Sequence, residues 1–188
     1  MRLTIWLVAI VATVIGGVSA LADLDPPPEG WPPIDGVVGL ETVDGHGWLA
    51  VRFAIPDSCA LSGILWYNSD GSVVFPTVAI ATGHEDGPRS LAEAVVVAEA
   101  VSGGSESWSR CEFELPIAAQ LGALYVVLEF PAGSGYQFPG NGGGAGLGYS
   151  AQLPQPRGWM SGDGEEWLGL SDAMGFAVLP EFVPYVPG

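Results

Sequence analysis

Trp48-Leu49-Ala50-Val51-Arg52-Phe53-Ala54-Ile55 is the stretch on which the class of this chain turns. Leu49, Val51, Phe53 and Ile55 alternate with Trp48, Ala50, Arg52 and Ala54. Successive side chains of a strand leave on opposite faces, so the stretch reads as a β-strand with one apolar and one mixed face. Working outward, strands are expected at 37–43, 61–67, 73–81, 94–102, 110–115, 124–130, 146–150, 157–160 and 175–182, with Gly, Pro, Asn and Asp turns between them. About ten short strands without a long amphipathic helix predict an all-β fold, an antiparallel β-sandwich of jelly-roll-like form.

One segment pulls toward helix. Ser90-Leu91-Ala92-Glu93 has the spacing of a capping box, which would start a short helix. Val95, Val96 and Val97 are β-branched and Gly103-Gly104 ends the run, so a strand from Ala94 is favoured. Residues 115–121 leave room for one more helical turn.

The ends of the chain differ from its middle. Residues 1–22 carry one charge, Arg2, then an apolar run from Leu3 to Val18 and the small residues Ser19-Ala20-Leu21-Ala22. This is the plan of a signal peptide cleaved after Ala22, with the bond after Ala20 as second choice. The competing reading is a retained anchor, because an apolar stretch from Leu3 to Leu21 is just long enough to span a bilayer. Residues 23–36 hold the spacer Asp25-Pro26-Pro27-Pro28-Glu29-Gly30-Trp31-Pro32-Pro33, where prolines forbid a helix or a central strand. Residues 37–183 form the expected domain and 184–188 a tail. The expected address is secreted, extracellular or periplasmic.

Charge narrows the partners. The whole chain carries 5 basic and 21 acidic residues, a net charge of −16, and loss of residues 1–22 would make it −17. So acidic a chain has few cations to neutralise phosphates, which argues against nucleic acid and, after cleavage, against an anionic membrane. The chain has no lysine, so P-loop, Schiff-base and Ser-Lys chemistries are excluded. The hydrophobic content of 48% is ample for a core.

Cys59 and Cys111 are the two cysteines. In an exported chain an even count reads as a bridge, and a Cys59–Cys111 disulfide is expected, worth about 4 kcal/mol on the chain-entropy model. A two-thiolate metal site is the alternative, but His46 and His84 are poorly placed to complete it.

No constellation of side chains announces a catalyst. His84, Asp86 and Ser90 lie too close in one loop for triad geometry, and no G-x-S-x-G elbow presents a serine. The paired acids Glu165 and Glu166 would point to opposite faces of a strand, unlike the facing carboxylates of a glycosidase. The glycine-rich run at 133–148 lacks G-x-G-x-x-G spacing and a following helix, so it reads as a surface loop. Structural calcium is a candidate at Asp70 and Asp163, each in an Asp-Gly turn among oxygen ligands, and the same turns also serve plain hairpins. No other cofactor is implied.

The segment Ser161-Gly162-Asp163-Gly164-Glu165-Glu166-Trp167 resembles the S-x-D-G-x-x-W hairpin of galactose-binding-like jelly-roll modules of secreted bacterial proteins. The resemblance covers seven residues. It implies turn formation for Asp163 and Gly164 and inward packing for Trp167, not catalysis.

Three functions remain from this reading. The first is a non-catalytic binding or adhesion module for a glycan or a protein ligand, with Trp108, Trp159 and Tyr136 as candidate ligand contacts and Trp31 as a further ring beside a turn. The second is a structural subunit that self-associates in an extracellular assembly. The third is an extracellular hydrolase, for which no catalytic residues can be named.

Overall fold

The computed structural model describes residues 29–30, 32–38, 47–68, 74–102, 108–118, 123–130, 146–153, 158–170 and 175–185. The export segment, Trp31, Asp70 and Tyr136 lie outside the described residues. Thirteen strands follow in chain order. They are β1 Gly36–Val38, β2 Gly47–Phe53, β3 Cys59–Tyr67, β4 Val74–His84, β5 Gly87–Pro88, β6 Val96–Ser102 and β7 Trp108–Ala118. The rest are β8 Ala123–Phe130, β9 Leu147–Ser150, β10 Gly158–Ser161, β11 Leu168–Gly169, β12 Gly175–Phe176 and β13 Val178–Pro184.

One layer is a seven-stranded antiparallel sheet in the order β11-β10-β2-β8-β4-β5, with β6 also paired to β4. The other layer is made of two three-stranded sheets, β1-β9-β12 and β13-β3-β7. These two sheets are joined where Ala177 links β12 to β13. The Ala177 amide donates to the Gly148 carbonyl at 2.8 Å, and the Ala177 carbonyl accepts from the Tyr67 amide at 2.9 Å. The chain crosses between layers at β1 to β2, β2 to β3, β3 to β4, β6 to β7, β7 to β8, β8 to β9, β9 to β10 and β11 to β12. It lays β2 against β8 in one layer and β3 against β7 in the other, the wrapping of a jelly roll. On one side β6 lies against β7 and nearly closes the two layers into a barrel.

The alternation at Trp48–Ile55 sorts as its pattern dictates. Leu49 and Val51 enter the core between the layers with Leu61, Ile64, Trp66, Phe75, Val78, Leu128 and Phe130, and Phe53 and Ile55 pack at its border. Trp66 and Phe75 meet edge to face at 5.3 Å, and Phe75 and Phe130 at 5.7 Å, the geometry that ring quadrupoles favour. The opposite face of the large sheet is not left to solvent. Ala50, Ala79, Ala81, Tyr125, Val127 and Trp159 form a second cluster, covered by Leu91, Ala94, Trp48 and Trp167.

Two loops make that cover. Ser90 Oγ accepts from the Ala92 amide, but the turn it caps is a single 3-10 turn, Leu91–Glu93, before the chain extends into β6. The β-branched residues therefore prevail over the capping signal. Leu91 then donates its amide to the Gly164 carbonyl at 3.0 Å, joining this loop to the Asp163 loop. Gly164 has φ of 75°, and a Cβ there would stand 2.7 Å from Leu91 Cδ1, so both conformation and space demand glycine.

The expected disulfide is not formed; both thiols are free. Cys111 stands opposite Ile64 in the β3–β7 register, five residues along β3 from Cys59. At about 3.3 Å per residue that is roughly 16 Å, whereas a disulfide needs Cα atoms within about 7 Å. The parity argument carried no register information. Cys111 faces the core, and burial pushes its thiol pKa up, which keeps it un-ionised and unreactive.

Most sheet edges are blunt, and the longer edge strands β6 and β7 lie against each other. β5 and β11 have two residues each and β1 has three. The β13 edge contains Pro180 and Pro184 and a register break between Glu181 and Phe182. Such edges resist pairing with another chain.

Candidate functional site

A cavity of about 380 Å³ lies at the border of the core, lined by Gly30, Pro32, Val51, Arg52, Phe53, Val126, Leu153, Phe176, Val178, Leu179 and Pro180. Its place follows from the pairing. β10 pairs with β2 only as far as Val51, so Arg52 and Phe53 run on past its end. Across from them β12 and β13 run along the border of the other layer, with β13 at the edge of its sheet. Val51 and Val126 belong to the core of the large sheet, and Phe176 and Val178 to that of the facing layer. The cavity is the space left where the valines are short and the two layers do not meet on this side, with Phe53 and Phe176 among its walls.

The proline-rich spacer supplies a wall. Gly30, with φ of 82°, and Pro32 line the cavity. The chain is fixed just beyond them, where Ile34 is buried in a small cluster with Tyr67, Leu153 and Ala177. Asp35 donates its amide to the Tyr149 carbonyl at 2.9 Å, and its carboxylate accepts from the Ala151 amide at 2.7 Å and from Ser150 Oγ at 3.2 Å. The spacer is therefore attached to the domain at Ile34–Asp35 and spans the cavity on its way there.

Apolar side chains and backbone make up most of the surface of the cavity, and among the described residues no carboxylate, histidine or thiol lines it. Among those residues Arg52 is the charged one in the lining. Arg52 stands opposite Tyr125 across β2 and β8 while Val51 and Phe53 turn inward, so its side chain leaves on the outer face of the sheet, away from the space between the layers. The other described arginines are ion-paired: Arg89 with Glu93 at 3.6 Å, and Arg110 with Glu112 at 2.7 Å and Glu181 at 2.8 Å. Among the described residues Arg52 has no carboxylate partner. A site of this kind can hold an apolar body. Among the described residues its lining has no paired acid and base with which to move a proton.

The residues singled out from sequence lie elsewhere. Trp159 is 3% exposed. Its indole N–H donates to the Asp86 carbonyl at 2.7 Å and its ring meets Tyr125 edge to face at 5.2 Å. The Tyr125 hydroxyl donates to the His84 carbonyl. Together these two rings hold the turn at residues 84–87 against the sheet, which leaves Trp159 no free face for a sugar. Gly83 is required beneath them, since a Cβ there would lie 2.5 Å from the Tyr125 ring. Trp108 is half-buried and packs edge-on against Tyr67 at 5.6 Å.

Asp163 builds its own loop. Its Oδ1 accepts from Ser161 Oγ at 2.9 Å, from the Glu165 amide at 2.8 Å and from the Glu166 amide at 2.9 Å. Those amides hold its carboxyl below the usual pKa range, the Glu166 amide most of all. An oxygen surrounded by three donors closes a turn without a cation. Among the described residues no group of three or more His, Cys, Asp or Glu side chains could hold a metal ion. Trp167 packs against the outer cluster, and among the described residues no helix is long and apolar enough to cross a membrane.

No protein-family model, curated protein or solved structure matches the chain.

Proposed function

We propose that the protein is a non-catalytic binding module whose ligand is apolar and enters the cavity at the border of the core. The observation that carries this reading is the cavity itself, about 380 Å³ with an apolar lining. Ligand sites are typically concave, mostly apolar spaces of about 300–1,000 Å³ with a few polar groups for orientation. Sugar binding draws less support, because it needs exposed ring faces and Trp159 is covered. Assembly by strand pairing draws less as well, because the edges are short, carry proline or, at β6 and β7, lie against each other. With residues 1–22 read as an export segment, the module would work outside the cytoplasm.

The test is a titration of the purified chain with N-phenylnaphthylamine, a neutral apolar fluorophore that brightens out of water. One saturable site is expected. Val126→Trp, which puts a large ring into the cavity, should weaken it by more than about tenfold, or roughly 1.4 kcal/mol. A wild-type chain without saturable binding overturns the reading.

A further inference from the structure

Resting on that reading, we infer that Asp35 is a positioning residue for the cavity: the spacer at Gly30 and Pro32 is a flap that lifts to admit ligand, and the Asp35 carboxylate latches it shut. Three observations meet here. Gly30 and Pro32 precede β1, whereas every other lining residue lies in a strand or, like Leu153, in a turn between strands. Among the described residues Glu29, Gly30, Pro32 and Pro33 make no hydrogen bond, and proline has no amide proton to donate, so this wall can move without breaking a ladder. The chain is first held at Asp35, by its amide on the Tyr149 carbonyl at 2.9 Å and by its carboxylate on the Ala151 amide at 2.7 Å and Ser150 Oγ at 3.2 Å. Lifting the flap as far as Gly36, the first residue paired with β9, breaks these three bonds and withdraws Ile34 from its cluster. Pro32 and Pro33 fix their own φ, which lets the stretch beyond Ile34 swing stiffly about glycine.

The consequence is kinetic. Asp35 is not part of the lining, so its carboxylate holds the flap equally with and without a ligand beneath it. A contact that does not distinguish the two states shifts the opening equilibrium in both and leaves affinity as it was. Entry and exit both wait for the flap, so a weaker latch speeds both by one factor. Asp35 is exposed, and loss of two hydrogen bonds to a carboxylate there should make that factor about tenfold. The partner turn keeps its shape without Asp35, because the Leu153 amide donates to the Ser150 carbonyl at 3.3 Å and the Gln152 amide to Ser150 Oγ at 3.2 Å. Leu153, the cavity wall that this turn carries, therefore stays in place when the latch is removed.

Stopped-flow binding of N-phenylnaphthylamine to the purified chain reads both rates. In Asp35→Ala association and dissociation should each quicken about tenfold with the dissociation constant unchanged, and that unchanged affinity also shows that the variant is folded. Asp35→Asn keeps an oxygen for the Ala151 amide and should return both rates to within about threefold of the wild type. Ala151→Pro breaks the latch from the other side. It removes the amide that donates to Asp35, at the second position of the hydrogen-bonded turn 150–153 where proline is favoured, and should quicken both rates about fivefold. Unchanged rates in Asp35→Ala and Ala151→Pro overturn the flap and leave the cavity standing with another entrance. A loss of affinity carried by dissociation alone overturns it too, and makes the spacer a fixed wall. If the wild type shows no saturable binding, the proposed function falls and this inference with it.

Discussion

Trp66, Phe75 and Phe130 fill one part of the space between the layers, and Val51, Val126 and Val178 border the part that stays hollow. The two regions are neighbours, because Val178 stands opposite Trp66 in the β3–β13 register. They have the same kind of wall, strands presenting alternate side chains, and differ in side-chain volume and closure. Three rings reach across the gap in the first. In the second the valines are short, the strands end, and a piece of spacer completes the wall. A sandwich of this kind is dense where its rings interlock and hollow where, even beside Phe53 and Phe176, valines face a gap between layers that do not meet, so the cavity is a product of residue choice and strand ends on a common frame.

The largest expected effect lies on the dense side. Trp66 is fully buried, and its indole N–H has no hydrogen-bond partner among the described residues, so truncation removes packing alone. Trp66→Ala should destabilise the fold by about 3–5 kcal/mol, read as a fall in the urea midpoint. A loss below about 1 kcal/mol would mean that the rings are not what makes this region solid.

A sharper test makes one chemical change in both regions. Val78 is fully buried in the core on β4, and Val126 borders the cavity on β8. An added methylene in packed surroundings forces neighbours to shift, so Val78→Leu should cost about 1–3 kcal/mol. The same methylene at Val126 enters empty space, and Val126→Leu should be neutral or stabilising by up to about 1 kcal/mol. Opposite signs in paired urea melts would uphold the contrast between the regions, and equal losses would break it.

How much of this was legible in the sequence differs between frame and site. The alternation at Trp48–Ile55 and the apolar runs at 61–67 and 124–130 each mark a strand, because periodicity is local and needs no partner to be read. The two-residue strands β5 and β11 have no pattern of their own, and pairing with β4 and β10 creates them. The disulfide was misread for a related reason, since a count of cysteines is silent on register. Trp159 looked available because its neighbours in sequence are turn residues, whereas what covers it comes from residues 84–87, far away along the chain. The cavity was invisible altogether. Its walls come from Gly30 and Pro32, residues 51–53, Val126, Leu153, Phe176 and residues 178–180, and it depends on an absence of volume that no single segment records.

The smallest expected effect concerns the loops over the outer face, which neither fill nor border the cavity. Asp163 is exposed, and its carboxyl pKa is lowered, first by the Glu166 amide and then by the Glu165 amide. A folded-state pKa below the unfolded value of about 3.9 means that the charged form stabilises the fold above that pH. This contribution is lost as pH falls through the folded-state pKa. At such an exposed site it should not exceed a few tenths of a kcal/mol. Asp163→Ala should therefore melt slightly below the wild type at neutral pH, and the gap should narrow once the pH drops below about 4. Asp163→Asn keeps an oxygen for the Glu165 and Glu166 amides without the charge, so it should lie between the two and show no such narrowing relative to Asp163→Ala. Since Gly164 accepts from Leu91, the loosened turn should be felt in the outer cluster and not in the cavity. N-phenylnaphthylamine affinity should be unchanged in Asp163→Ala, and a change would show that the outer face and the cavity are coupled through the shared sheet.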